Sequence, residues 1–298
     1  MQLFRQRRSF RSVDVRRLRH KAIPPPHEFA KGIATGGIRV QSTKLTVAGV
    51  ELELLDTGQE TARPILFLHG GGGFAPQQPF VAPLSAKRRF VAPTHPGFGK
   101  SSLPDWLDSI DDIAHLYLEL MDILKLDGVD LVGCSIGGWI AAEMATKSPE
   151  RFRRIVLSGP VGIKVGPPDK LDIPDIFAMA EVDALKLTFH DPERMKRDTA
   201  KMSDDELAAM FRARETLALL TWEPWMHNPK LKRRLHRVVA PALFIRGESD
   251  GLVSAAYLDA YARLLPNART MTIEAAGHVP QLEQPAAFAA AVLNFLGE

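Results

Sequence analysis

The sequence predicts an α/β fold: a mostly parallel central sheet with helices on both faces and a helical segment inserted late in the chain. Three observations carry this expectation. Short runs rich in Val, Ile, Leu and Phe recur at Ile65 to Leu68, Arg89 to Ala92, Val129 to Val132 and Arg154 to Leu157, each followed by a loop with Gly or Pro, the pattern of buried parallel strands. Helical stretches lie between them: Ile110 to Lys125 is apolar at Ile113, Leu116, Leu120, Ile123 and Leu124, and Trp139 to Lys147 follows directly on a strand. This alternation implies right-handed crossovers that cover both faces of the sheet. Finally, the rhythm breaks at Pro160 and resumes at Pro241.

The elements follow in order. Lys44 to Val47 and Val50 to Leu55, around Ala48-Gly49, read as a hairpin that opens the folded domain. Residues 161–236 lack strand-like alternation but contain helical patterns at Asp175 to Leu187 and Asp204 to Leu220; Ser203 with Glu206 three residues on forms a capping box before the second. This segment is expected to be an inserted helical cap. A strand at Ala242 to Ile245, a helix at Ser254 to Leu264, a strand at Thr270 to Ile273 and a helix at Pro285 to Leu296 complete the chain. The expected organisation is a core of residues 38–160 and 237–298, a cap at 161–236, and a basic N-terminal extension at 1–37.

Composition narrows the function classes. The 298 residues are 45% apolar and 24% charged, as in an ordinary soluble domain, and no run of about 18 apolar residues suggests a membrane span. The single cysteine, Cys134, excludes an internal disulfide and a multi-cysteine metal site, and it fits a reducing, cytoplasmic compartment. The net charge of +3 conceals a basic arm: residues 1–36 carry nine Lys or Arg against Asp14 and Glu28. The arm reads as a solvated, disordered extension ending in Pro24-Pro25-Pro26.

Chemistry enters with Gly133-Cys134-Ser135-Ile136-Gly137, placed between a strand and a helix. This is the G-x-S-x-G pattern in the context that gives it meaning: glycines permit a turn sharp enough to project Ser135 from the carboxyl edge of the sheet. A serine hydroxyl needs a base to accept its proton, and the base needs a carboxylate to hold its tautomer. Gly247-Glu248-Ser249-Asp250 follows the strand at 242–245, and Ala276-Gly277-His278 follows the strand at 270–273. Asp250 and His278 are therefore the candidate acid and base. The loop Ser158-Gly159-Pro160, one strand earlier, offers no carboxylate. His69-Gly70-Gly71-Gly72-Gly73 follows another strand and supplies backbone N–H groups for an oxyanion, with Gly71 favoured over the alternative Gly72 and Ile136 as the second donor. His69 and His95 are expected to pack in their loops.

Five stretches carry a family resemblance: HGGGG at 69–73, HPGFGKSS at 95–102, GCSIGG at 133–138, GESD at 247–250 and GHVPQLEQP at 277–285. From about Val40 onward the chain resembles the α/β-hydrolase superfamily, in its single-cap branch of carboxylesterases, meta-cleavage carbon-carbon hydrolases and cofactor-free perhydrolases. Relatives that attack with Asp are set aside by Ser135. Those that use cap tyrosines are set aside because Tyr117, Tyr257 and Tyr261, the only tyrosines, lie outside 161–236.

The resemblance implies a serine hydrolase that cleaves a small to medium apolar acyl ester, with no metal and no organic cofactor. The alternatives are carbon-carbon hydrolysis of a vinylogous diketone and a non-catalytic small-molecule receptor on the same fold. Trp222, Trp225 and Met226, late in the cap, are candidate pocket residues. The expected partner is a small molecule rather than nucleic acid, no nucleotide-binding fingerprint is expected since no phosphate-loop ending follows the glycine-rich loop, and no oligomeric state follows from these features. A chain beginning near Ile38 is expected to keep the melting temperature and activity of the full chain. A large loss of either would show that the arm packs on the domain.

Overall fold

The computed structural model describes residues 38–59, 61–75 and 77–297, with side chains from Thr43 onward; the basic extension lies outside them. Strands β1 (Ile38–Val47), β2 (Val50–Gln59), β3 (Pro64–Leu68), β4 (Arg89–Pro93), β5 (Val129–Cys134), β6 (Phe152–Ser158), β7 (Ala242–Gly247) and β8 (Ala268–Ile273) form one eight-stranded sheet among the described residues. Their order is β1-β2-β4-β3-β5-β6-β7-β8. β2 runs antiparallel to both β1 and β4, and every later pair is parallel. The fold class is the one expected.

Side-chain alternation assigns the two faces of the sheet. Ile65 and Phe67 of β3 join one apolar cluster with α1 (Val81–Lys87) and α9 (Pro285–Leu296). Leu66 and Leu68 join the other, with α2 (Ile110–Ile123), α3 (Ile136–Lys147) and α7 (Ala255–Ala262). A period of two thus feeds two cores, each closed by helices. In the first, Phe67 packs 5.0 Å from Phe80 and 5.5 Å from Phe90, and Phe80 meets Phe288 edge-on at 5.7 Å. Each such buried ring contributes about 1.5–3 kcal/mol.

Three elements differ from expectation, each for a local reason. The hairpin strands are ten residues long, because β2 continues through Leu54–Gly58 as the partner of β4. Asp56 there takes a two-pronged bond from Arg89, at 3.0 and 2.8 Å, so a polar residue holds a strand that hydrophobic alternation does not mark. Helix α1 buries only Val81 and Leu84 and has no side-chain cap, which leaves little periodic signal. The helix expected from Asp175 is shorter, α4 (Glu181–Thr188). The Asp175 carboxylate accepts from the N–H groups of Phe177 and Ala178, a local turn that competes with the helix.

Between β6 and β7 the chain passes through α4, α5 (Pro192–Met195) and α6 (Asp204–Thr221), and Ser203 and Glu206 cap α6 reciprocally as expected. The stems of this helical insertion are tied together. Gly162 N–H donates to Met226 O, and Asn228 N–H donates to Gly162 O. The Asn228 amide reaches Glu143 on α3 at 2.7 Å, and the Tyr257 hydroxyl on α7 bonds both backbone groups of Ile163.

Packing is tight where α3 crosses β3. A β-carbon on Gly137 would sit 2.1 Å from Leu68 O and 2.5 Å from His69 O, both backbone atoms, whereas one on Gly72 would meet nothing within 4 Å. Gly137→Ala is therefore expected to lower unfolding free energy by more than about 2 kcal/mol, and Gly72→Ala to change it by less than about 0.5 kcal/mol. Urea titrations that give equal losses would contradict this packing.

Candidate active site

Ser135 stands between β5 and α3 with φ 54° and ψ −117°, a conformation that costs a residue with a side chain about 1–3 kcal/mol. Its surroundings hold it there. Ser135 N–H donates to Ser158 O on β6 at 2.8 Å, and Ser135 O accepts from Gly138 and Trp139 in the first turn of α3. A β-carbon on Gly133 would lie 2.3 Å from Gly137 O, so the turn closes only with glycine on both sides.

The structure brings the three candidate residues together. Ser135 Oγ lies 2.9 Å from His278 Nε2, and His278 Nδ1 lies 3.0 Å from Asp250 Oδ2. The second Asp250 oxygen accepts from Leu252 and Val253 N–H, both at 2.9 Å, which fixes the plane of the carboxylate. Asp250 and His278 are 3% and 7% exposed, so their attraction acts largely out of water. Beneath them runs the loop without an acid. Gly159 has φ 50°, and a β-carbon there would lie 3.1 Å from the His278 ring and 3.4 Å from Asp250 Oδ2. Any side chain at that position would displace the pair.

The insertion reaches the same loops through its backbone. His278 N–H donates to Thr188 O at 2.6 Å, and Gly251 N–H donates to Leu187 O at 2.9 Å. On α8 (Pro280–Glu283), buried Glu283 accepts from Gly277 N–H at 2.6 Å and from His190 and Asp191 N–H at 2.8 and 3.2 Å. Glu283 stands within the GHVPQLEQP stretch, five positions after His278, but the sequence offers no sign of its partners in the insertion.

At the end of β3, a β-carbon on Gly70 would lie 3.3 Å from Ser135 Cβ, and one on Gly71 would strike Leu217 Cδ2 of α6 at 2.7 Å. The glycine loop therefore lies against the serine on one side and the insertion on the other. Ile136 is the first residue of α3, where an N–H has no partner within its helix. Of the candidate pocket residues, Met226 is buried beside Gly162, Trp225 is partly buried with its indole N–H on Ile173 O, and Trp222 is 56% exposed and stacked edge-on against Trp225. Val161, next to Gly162, brings its N–H to 3.5 Å from Ser135 O.

Behind the glycine loop, His69 and His95 stack with ring centres 3.7 Å apart, and both are buried. Burial pushes the His69 imidazole down to about 4 and holds His95 well below the usual histidine range, with the neighbouring ring adding to the second effect. His69 takes up its proton in the unfolded chain near pH 6.5 but in the folded chain only near 4, so its contribution is complete above pH 6.5 and declines as pH falls towards 4. Unfolding free energy is expected to drop by roughly 2 kcal/mol from this residue between pH 7.5 and 5, and His69→Gln should flatten the profile. Urea midpoints unchanged over that interval would contradict a neutral buried His69.

Comparisons with known proteins bear on the family and the fold. The profile of the alpha/beta hydrolase family matches residues 65–291. A 2-hydroxy-6-oxo-2,4-heptadienoate hydrolase of Pseudomonas putida is 28% identical over 267 residues, covering 83% of this chain and 93% of that protein. Among solved structures, a meta-cleavage product hydrolase from Pseudomonas fluorescens IP01 superposes with a TM-score of 0.69 at 21% identity, over 86% of this chain and 97% of that one. A carboxylesterase from Bacillus subtilis superposes with a TM-score of 0.66 at 21% identity, over 87% and 92%. These two likenesses are of fold. The family match spans well over half of the 298 residues, and on that basis the chain belongs to the alpha/beta hydrolase family.

Proposed function

We propose that this hydrolase cleaves a small to medium, largely apolar acyl ester through an acyl-enzyme at Ser135. The observation that carries the reading is the continuous path from Ser135 Oγ through His278 to the Asp250 carboxylate, 2.9 and 3.0 Å long in its two steps. Ser135 Oγ attacks the acyl carbon as its proton passes to His278 Nε2, and Asp250 stabilises the imidazolium. The negative oxygen of the tetrahedral species is held by the N–H groups of Gly71 and Ile136. Its collapse breaks the ester bond, and the alcohol leaves with the proton from His278. Water, losing a proton to the same ring, then attacks the acyl-enzyme and releases the acid and Ser135.

Residues 161–236 serve in this reading as the cap over the site, with Leu217 against Gly71. Trp225 and Met226 form part of the apolar wall, and Trp222 supports Trp225 from outside.

A second reading, carbon-carbon hydrolysis, is favoured by the curated relative named as a dienoate hydrolase. A dienoate carries a carboxylate, which calls for a cation in the site. Arg212 on α6 donates to Gly99 O and Ser101 O, and Arg246 on β7 donates to the carbonyls of Val253, Glu248 and Asp250. This supports placing the ester first.

Ser135→Ala and His278→Ala should each lower kcat by roughly 10⁴–10⁶, with little further loss in the double variant; multiplicative losses would break the unit apart. Asp250→Asn should fold and lose about 10⁴ in kcat. On substrates, short and medium p-nitrophenyl esters should be cleaved, with activity falling as the acyl chain lengthens. A dienoic diketone turned over with kcat/KM about a hundredfold above any ester would install the second reading. A fluorophosphonate that leaves Ser135 unlabelled, together with tight binding of an apolar ligand, would replace both with a receptor.

A further inference from the structure

Hydrogen-bond geometry fixes the tautomers of both stacked histidines. His95 N–H donates to His69 Nε2 at 2.8 Å, so that nitrogen is an acceptor and the His69 proton sits on Nδ1, which donates to Gly70 O at 2.8 Å. His95 Nε2 faces the carbonyl oxygen of His69 at 2.8 Å and must carry the ring proton. His95 Nδ1 is then an acceptor, and the Tyr117 hydroxyl, 2.6 Å away, donates to it. All three residues are buried, at 2%, 0% and 0% exposure. A proton added to His69 Nε2 would meet the His95 N–H head-on, so the stack works only in the neutral state.

The two carbonyls gripped in this way, His69 O and Gly70 O, belong to consecutive peptide groups of the glycine loop. In a planar trans peptide the N–H points opposite to the C=O. Fixing Gly70 O, which also accepts from Gly73 N–H at 3.1 Å, therefore fixes the direction of the Gly71 N–H. Gly70 itself lies against Ser135 Cβ. We propose that Tyr117, His95 and His69 are positioning residues, a chain of directed hydrogen bonds from α2 that sets the orientation of the oxyanion-binding Gly71 N–H. This rests on the serine hydrolase reading above.

The chain has an order. The His69 carbonyl fixes the His95 tautomer and the Tyr117 hydroxyl braces it by donating to Nδ1; His95 holds the first peptide and, through its backbone N–H, fixes the His69 tautomer, and His69 holds the second peptide. Gln at position 95 supplies an amide N–H in place of Nε2–H and an oxygen to accept from Tyr117, whereas Leu supplies neither.

Two measurements test the proposal. Side-chain ¹⁵N–¹H correlation spectra of the wild-type protein at pH 7 should show His69 as the Nδ1–H tautomer and His95 as the Nε2–H tautomer; the reverse assignment of either, or a charged ring, would overturn it. On a short p-nitrophenyl ester, His95→Leu should lose roughly 10- to 100-fold in kcat, less than removal of a whole oxyanion donor, with KM within about threefold. Tyr117→Phe should show a smaller loss of the same kind, and His95→Gln should recover most of the activity lost in His95→Leu. An alkyl boronic acid, which forms a tetrahedral adduct on Ser135, should weaken in step with kcat across the series. Unchanged kcat in folded His95→Leu, or His95→Gln no better than His95→Leu, overturns the proposal. If His95→Leu does not fold, Tyr117→Phe and the tautomers decide. An inert wild type with Ser135 unlabelled by fluorophosphonate defeats the hydrolase reading itself, whereas an active wild type with indifferent variants defeats only the positioning chain.

Discussion

Helix α3 lies so close to β3 that a β-carbon on Gly137 would fall within 2.1 Å of the Leu68 carbonyl oxygen. That contact sets two things at once. It forces the chain to leave β5 through a turn in which Ser135 has a positive φ, and it brings the end of β3 beside the serine, so that the glycine loop begins in contact with Ser135 Cβ. The Ser135 turn and the glycine loop are thus placed by one packing constraint, which is why a strained serine persists: relaxing it would require separating a helix from the middle of a parallel sheet.

The neighbouring strand ends divide the remaining work. β7 delivers Asp250 and β8 delivers His278, while β6 contributes a carbonyl for Ser135 N–H and, at Gly159, an empty space under the imidazole. Desolvation makes the empty space matter. The Asp250–His278 pair is almost fully buried, and in such surroundings a polar contact is worth most when its geometry is held. Leu252 and Val253 hold the acid, and Thr188 O holds the backbone of the base.

Residues whose role is a property of their own loop were legible in the sequence. Ser135 announces itself through flanking glycines, Asp250 and His278 through their place after predicted strands, and the α6 capping box through Ser203 and Glu206. Residues whose role is a relation between distant segments were not. Glu283 meets His190 across 93 positions, and Tyr117 meets His95 across 22; neither pairing leaves a local pattern. The polar half of β2 and the uncapped helix α1 were missed for the same reason, since Asp56 depends on Arg89 and α1 on Phe67 and Phe288 beneath it. Trp222 illustrates the converse. Its place late in the insertion, beside Trp225 and Met226, suggested a wall residue, but position along the chain does not say which way a side chain turns, and more than half of its surface is exposed.

The insertion grips the acid and base loops mainly by main-chain atoms: the carbonyls of Leu187 and Thr188 as acceptors, and the N–H groups of His190 and Asp191 as donors to Glu283. Main-chain atoms are the same in every residue but proline, which lacks the N–H. Apart from His190, whose Nδ1 lies 2.8 Å from Ser249 Oγ, side chains along this stretch can therefore be exchanged without loosening the histidine, provided the backbone keeps its path. The scaffold thereby separates two kinds of inheritance: the Ser135–His278–Asp250 contacts are braced largely by backbone groups, and the side chains of the insertion remain open to change. A lineage that keeps this backbone path is free to alter the insertion in single steps while those three residues stay together.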